Sequence, residues 1–352
     1  MRFTMNRDAL AHAVQVAGRV ASRGTTPAMA CVLMEAGEDS VSFSATDGDR
    51  HVEHSDSAMV EEEGKCLVSA KALSACVKSL KDGAVCVSSV EGRVSVECCG
   101  GSFTLPSLDP REWVGAPVPE EGPSCRIGAE SLKAMAKAVA PFCDIGKEAQ
   151  ERLSAIHLAS DGSEMRLEAT EGHIVCVRSH PADGDALDCL VPRDFLLSAA
   201  ESMEGDVSIM SDGKRVEVSC GPTRMTSRLV SLSYPELDRY IPKERDGMTV
   251  AREDLLGMLR RASQVGDGKG KLSLRAEGGS LSASVSTDAG SFSETCPCSG
   301  DLDVYAACHF VRMCAEAMGC EEVIVVSTAP MKPVLFVGDS TLAVAMPLRR
   351  DE

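Results

Sequence analysis

Two periodicities alternate along this chain. Runs in which every second residue is apolar, the spacing of a strand with one buried face, include Val41, Phe43 and Ala45; Val85 and Val87; Val94 and Val96; Met165, Leu167 and Ala169; and Val216 and Val218. Other segments carry apolar residues three and four apart, the spacing of a helix with one buried stripe. They predict helices over about 7–20, 70–80, 129–142, 193–203 and 252–263, and a strand-then-helix from Val304 to Met318. In the first, Leu10, Ala13, Val14 and Ala17 form the stripe behind a capping Asn6. Glu91-Gly92 and Asp212-Gly213 mark hairpin turns.

The pattern repeats. Ala45-Thr46-Asp47-Gly48 and Ala169-Thr170-Glu171-Gly172-His173 each close an alternating run, and their threonines stand 124 positions apart (170 − 46). Leu105-Pro106 and Leu229-Val230 share that offset. Helical stripes open at Leu10, Leu132 and Leu255, 122 and 123 residues apart (132 − 10, 255 − 132). A period this long indicates tandem domains, since solenoid units span only about 20–50 residues. Three domains are expected, 1–122, 123–246 and 247–352, each with two helices among about eight short strands and each near the modal domain size. The acidic, proline-containing stretch 117–123 and the stretch 243–247 are the expected linkers.

Charge complicates the picture. The formal net charge is −17, which taken alone opposes phosphate binding. The positive residues, however, sit on the expected helices: Lys71, Lys78, Lys133, Lys137, Arg193, Arg260, Arg261 and Arg312. Acids gather in loops, as at Glu61-Glu62-Glu63 and Glu120-Glu121. One face could then be basic within an acidic sum. Sixteen cysteines include no C-x-x-C pair, and Cys98-Cys99 and Cys296-Pro297-Cys298 are too tightly spaced for the usual redox or metal motifs. They read as buried thiols in a reducing cytoplasm. No run reaches the roughly 18–20 apolar residues of a membrane helix, and the opening Met1–Met5 reads as a strand rather than a leader, so a cytoplasmic protein is expected. Seven histidines show no zinc-hydrolase spacing. No nucleophile elbow or dinucleotide fingerprint occurs. Gly266-Asp267-Gly268-Lys269-Gly270-Lys271 lacks the spacing of a phosphate loop. No catalytic residue, metal or cofactor is assigned.

Several stretches, in order and at matching separations, carry a family resemblance: Met1-Arg2-Phe3-Thr4, the loop with Arg23 and Thr26-Pro27, Ala169-Thr170-Glu171-Gly172-His173, Leu229-Val230 through Tyr234-Pro235 to Arg239-Tyr240-Ile241-Pro242, and Val344-Ala345-Met346-Pro347-Leu348-Arg349. On these the chain resembles the bacterial DNA polymerase III beta subunits, the sliding clamps, along its full length. The resemblance implies an α+β fold of three tandem clamp domains, each of two helices packed on two antiparallel sheets, closing into a ring as a head-to-tail homodimer. It implies a non-catalytic processivity factor that encircles double-stranded DNA without reading its sequence. Replicative polymerase, clamp loader and repair proteins would be tethered through short motifs of Gln, Leu and Phe.

The same resemblance implies site residues. The partner pocket, between domains two and three, would use Leu153, Thr170, Gly172, His173, Val175, Pro235, Arg239, Val344, Met346, Pro347, Leu348 and Arg349. DNA contact would fall on Arg23, Lys71, Lys133, Lys137, Lys147, Arg152 and Arg193. Leu105 and Leu108 of one protomer would meet Gln264 and Val265 of the other. Departures from the family pattern are Ile174 where Arg is frequent, Tyr240 for a smaller apolar residue, Gln150 for Arg, Ala155 for Gly, and the Arg350-Asp351-Glu352 tail, which could crowd the pocket mouth. A non-encircling repeat adaptor in DNA metabolism is the alternative reading, and a cysteine-dependent enzyme a more distant one.

Overall fold

The structure, a computed structural model, describes all residues except 22–24, 116, 147, 266–269 and 351–352. One order of elements runs three times along the chain. The first pass is β1 (Arg2–Asn6), α1 (Arg7–Ala21), β2 (Cys31–Ala36), β3 (Ser40–Thr46), β4 (Arg50–Ser57), β5 (Met59–Glu62), β6 (Gly64–Ser69), α2 (Ala70–Ser79), β7 (Ala84–Val90), β8 (Arg93–Cys98) and β9 (Gly101–Leu108). The second is β10 (Ser124–Gly128), α3 (Ala129–Val139), β11 (Ala155–Asp161), β12 (Glu164–Thr170), β13 (Ile174–Pro181), β14 (Asp183–Gly184), β15 (Ala186–Pro192), α4 (Arg193–Ser202), β16 (Asp206–Ser211), β17 (Arg215–Cys220) and β18 (Thr223–Arg228). The third is β19 (Met248–Ala251), α5 (Arg252–Ala262), β20 (Lys271–Glu277), β21 (Ser280–Thr287), β22 (Gly290–Pro297), β23 (Leu302–Ala307), α6 (Cys308–Ala317), β24 (Glu322–Val326), β25 (Val334–Val337) and β26 (Thr341–Ala345).

Local chemistry explains these elements. Asn6 caps α1 by accepting the Asp8 amide at 2.8 Å. Leu10, Ala13, Val14 and Ala17 are then all turned inward. Ser69 accepts the Ala72 amide at the start of α2, whose Leu73, Cys76 and Val77 are buried. Strands β7 and β8 alternate as their sequences require, with Val85, Val87, Val94 and Val96 fully buried. All sixteen cysteines are free thiols, and ten are buried. Burial pushes the Cys66 thiol up to about 12, so it packs as an apolar group.

By contact the chain divides into two compact units, residues 1–130 with 194–229 and residues 131–193 with 230–352. In the first unit one antiparallel sheet runs β10-β16-β17-β18-β4-β3-β2-β6-β9-β8-β7-β1-β5. In the second, one sheet runs β15-β11-β12-β13-β26-β25-β24-β19 and another β22-β21-β20-β23. Strands of different repeats therefore share sheets. Within the first unit β18 pairs with β4, from Thr223 opposite His54 to Ser227 opposite Arg50. His54 Nδ1 lies 2.8 Å from Thr223 Oγ1 across that seam. Within the second, β26 pairs with β13, from Ala345 opposite Ile174 to Thr341 opposite Arg178.

Each of the strands β4 and β13 leaves a threonine-anchored turn. Thr46 Oγ1 donates to the Arg50 carbonyl at 2.7 Å and accepts from the Gly48 amide at 3.1 Å. Thr170 does the same with Ile174 and Gly172, at 2.6 and 3.0 Å. The glycines have φ of 98° and 107°, where a side chain would strain the backbone. A third copy, Thr287-Asp288-Ala289-Gly290, leads into β22: Thr287 Oγ1 donates to the Gly290 carbonyl and accepts the Ala289 amide. Sequence reading found only two copies, because alanine stands where the others have glycine. Unlike β4 and β13, β22 ends its sheet. Replacing Thr46, 2 % exposed, by the isosteric Val removes both bonds of its turn and should cost about 1–3 kcal/mol. Urea unfolding with an unchanged m-value checks it.

Candidate functional site

The second seam carries an apolar site. Val175 on β13 faces Val344 on β26. Both join Val177, Leu237, Val326 and Leu335 in one buried cluster, against which Tyr234, Ile241, Ile324, Val337 and Leu342 pack half-buried. Sheet residues make its floor, and the segment from Tyr234 to Ile241, which includes the short helical turn Leu237–Tyr240, makes a wall. Half-buried aliphatic and aromatic groups beside a buried cluster are what a pocket for apolar side chains is made of.

At one end stands the Thr170–Ile174 turn. Glu171 Oε1 accepts the amides of His173 and Ile174 at 2.7 and 3.1 Å, which fixes the turn and leaves Gly172 and His173 exposed. The His173 ring stacks on Phe310 of α6, with centroids 6.0 Å apart. The C-terminal segment is pinned between this turn and β23. The Met346 amide donates to the His173 carbonyl at 2.9 Å, and the Leu348 amide to the Tyr305 carbonyl at 2.8 Å. Met346, Pro347 and Leu348 are half-buried and Arg349 is exposed.

Of the expected pocket residues, the structure brings Val175 and Val344 into the cluster and joins His173 to Met346. Thr170 and Gly172 shape the turn. Pro235 is half-buried at the head of the wall, and Arg239 is exposed and paired with Glu236. Leu153 is buried outside the cluster, its backbone bonded to Gln150 and Asp144. Sequence reading missed Tyr234, Leu237 and Ile241 as wall residues. Leu237 and Ile241 do lie four apart, a helical signal in a stretch read only as a domain ending. Ile174 is fully buried, flanked by β12 and β26, which suits isoleucine and would strand an unpaired arginine. Tyr240 is exposed. Arg350 pairs with Asp303 and lies over the Tyr305 ring. Asp351 and Glu352 lie outside the described residues.

Behind the wall lies a second, polar feature. His157 on β11 places Nδ1 2.6 Å from Glu168 on β12 and Nε2 3.1 Å from Asp188 on β15. Arg166 bonds both Glu168 and Asp238. Glu168 is 6 % exposed, a buried carboxylate between the His157 ring and the Arg166 guanidinium. Burial would lower the His157 pKa, but hydrogen bonds to Glu168 and Asp188 outweigh it and hold it above the ordinary value.

The expected DNA-facing residues fall in separate places. Lys71 is exposed on α2 along a groove of about 600 Å³ that Lys78 and Arg19 also line. On α3, Lys133 is half-buried and Lys137 exposed. Arg152 is exposed and bonds Gln150, while Arg193 Nε donates to the Ala140 carbonyl at 2.8 Å. Arg23 and Lys147 lie outside the described residues. Leu105 is half-buried on β9, and Leu108 packs on the cluster of Cys31, Leu33 and Leu67. Gln264 is exposed and Val265 half-buried beyond α5. Among the described residues no group of three or more His, Cys, Asp or Glu is arranged to hold a metal, and no helix is long and apolar enough to cross a membrane.

Comparison with known proteins gives a consistent picture. The family described as the DNA polymerase III beta subunit, N-terminal domain, matches residues 1–115. The beta sliding clamp of Pseudomonas putida is 28 % identical over 270 residues, 73 % of this chain and 72 % of that protein. A crystal structure of a sliding clamp from Pseudomonas aeruginosa with ligand superposes with a TM-score of 0.90 at 22 % identity, covering 99 % of this chain and 100 % of that one. The DnaN sliding clamp from Bartonella birtlesii, solved bound to griselimycin, superposes at 0.89 with 25 % identity and the same coverage.

The raised His157 pKa sets a sign for stability. The stabilisation is fully present below the unfolded-state value of about 6.5 and is lost as pH rises through the folded-state pKa. The wild-type melting midpoint should therefore drop across that window relative to His157→Gln, whose glutamine does not titrate. Calorimetry at a series of pH values checks this.

Proposed function

We propose that this chain, which belongs to the DNA polymerase III beta-subunit family, is a DNA sliding clamp: a non-catalytic ring that surrounds duplex DNA and tethers replication proteins. The observation that carries the reading is the repeated seam. The strand after the first threonine turn, β4, is met by β18, the last strand of the second repeat. The strand after the second turn, β13, is met by β26, the last strand of the third. By the same rule β22, the strand after the third turn, awaits the last strand of the first repeat, β9. Among the described residues β22 pairs only with β21, and the Gly101–Pro106 part of β9 only with β8. Two open edges of matched kind on one chain call for a second copy, head to tail, and such a contact made twice closes a ring. Closure removes both exposed edges, which otherwise invite uncontrolled pairing.

The three domains would be 1–122, 123–246 and 247–352, two copies giving six like units. Lys71, Lys133, Lys137, Arg152 and Arg193, with Arg23 and Lys147, would face the duplex and touch phosphates alone, which permits sliding. An acidic exterior would keep DNA within the hole. Leu105 and Leu108 would meet Gln264 and Val265 of the second copy beside the β9–β22 contact. The apolar site at the β13–β26 seam would receive the Leu and Phe of short Gln-containing partner segments, with Thr170, Gly172, His173, Pro235, Arg239, Met346, Pro347, Leu348 and Arg349 at its border and Leu153 behind it.

Sedimentation should give twice the 37.1 kDa chain mass. The double change Leu105→Glu with Val265→Glu should give monomers. Loaded onto a nicked plasmid, the protein should stay with the circle through gel filtration and leave when the plasmid is linearised. Equal retention on both forms would overturn the ring. Met346→Ala should weaken a Gln-Leu-Phe peptide about tenfold by fluorescence anisotropy, the scale of losing one well-buried contact.

A further inference from the structure

The polar feature behind the pocket wall is a chain of alternating charge. In order it runs Asp188, His157, Glu168, Arg166, Asp238: carboxylate, imidazole, carboxylate, guanidinium, carboxylate. The first four residues stand on the neighbouring strands β15, β11 and β12. The fifth does not. Asp238 belongs to the turn Leu237–Tyr240, part of the wall whose Tyr234, Leu237 and Ile241 pack on the apolar cluster. The Arg166–Asp238 bond, 2.5 Å long, thus ties the sheet to the wall. A cavity of about 390 Å³ lies between them, lined by His157, Arg166 and Glu168 on one side and Tyr234 to Asp238 on the other. The Tyr234 ring reaches across to within 5.1 Å of the His157 ring. The wall therefore packs on the apolar cluster along one side and borders an open cleft along the other, and the Arg166–Asp238 bond, the last link of an ionic thread, spans that cleft.

We propose that this thread is a positioning device: it holds the 234–241 wall in the shape that accepts a partner's apolar side chains, so that partner affinity follows the protonation of His157. The proposal rests on the reading of the seam site as a partner pocket. The ionisable groups facing His157 are Glu168 and Arg166 from β12, Asp188 from β15, and Tyr234, Glu236 and Asp238 from the wall segment. Burial pushes the Tyr234 hydroxyl upward, away from the neutral range. With His157 charged, Glu168 has a cation on each side, and Arg166 can serve Asp238 as well. When His157 loses its proton, one ring nitrogen faces a carboxylate oxygen with no hydrogen between them. Glu168, still buried, then has at most a neutral N–H where a cation stood, so Arg166 is its one charged partner and is drawn toward it from Asp238. The tie to the wall slackens.

The test uses the full-length protein and a fluorescein-labelled peptide with capped ends, carrying Gln-Leu-Phe and no histidine. Anisotropy is read from about pH 6 to about pH 8.5, the range in which a histidine switch acts. Hydrogen exchange over 234–241 is followed without peptide, corrected for intrinsic rates. Wild-type affinity should fall about threefold to fivefold as pH rises, the scale of one partly exposed ion pair. His157→Gln should flatten the profile. Asp238→Asn, an exposed change that leaves Glu168 paired, should weaken binding by a similar factor at low pH with an unchanged melting temperature, and should speed exchange of the wall. A wild-type profile indistinguishable from that of His157→Gln overturns the proposal, as does Asp238→Asn binding as tightly as wild type. Peptide that fails to bind at every pH overturns the partner reading and the binding half of the proposal with it. Exchange that ignores pH and both substitutions overturns the thread itself.

Discussion

Everything in this structure depends on how open strand edges are dealt with. A strand at the end of a sheet exposes a row of unpaired amides and carbonyls, and burying or pairing them is obligatory for a well-behaved fold. This chain solves the problem by handing edges from one repeat to another. β4 takes β18, and β13 takes β26, so each seam is a full antiparallel ladder rather than a side-chain contact. Hydrogen bonds of that kind set register residue by residue, and a slip of one would turn each inward side chain outward. The seam is thus a strong and geometrically strict joint.

The threonine turns serve the seams. Those of Thr46 and Thr170 place a buried hydroxyl where it both donates and accepts within five residues, which ends one strand and starts the next. At the second seam the turn has a further task, because the His173 carbonyl beyond it anchors the C-terminal segment through Met346. One local motif then links the joint between repeats to the border of the apolar site. The sheet pairing that joins the repeats and the apolar site are parts of one structure.

The site's two faces differ in physics. Its floor is aliphatic, built from strands paired on both sides, and has little freedom to move. Its wall is a short irregular segment with apolar packing toward the cluster, a charged contact to Arg166 on β12 and a ring contact to His157 on β11. Burying Glu168 is unfavourable without its hydrogen-bonded partners His157 and Arg166, so the ionic side is the one that solution conditions can reach. An acidic protein with scattered basic helices follows a related logic: local arrangement, not the sum of −17, decides which ligand each surface tolerates.

Much of this was legible in the residues alone. The six α-helices of the described residues, the threefold order and the inward stripe at Leu10, Ala13, Val14 and Ala17 follow from periodicity, because burial of one face demands it whatever the neighbours are. The family resemblance pointed to Thr170, Val175, Val344 and Met346, which the structure gathers along the β13–β26 seam. Other features were not legible. The third turn was hidden by Ala289 in place of glycine and by a turn one residue shorter, although its threonine also donates to a carbonyl and accepts an amide within the turn. Tyr234, Leu237 and Ile241 looked like a domain ending, since nothing in their spacing tells which sheet they will cover. His157, Glu168, Arg166 and Asp238 span more than eighty positions, and no local pattern joins them. Local sequence therefore determined the elements, since their causes lie within a few residues. Only the tertiary structure decided which strand edges meet and which distant charges neutralise one another, because pairing and burial are properties of chain segments brought together across long separations.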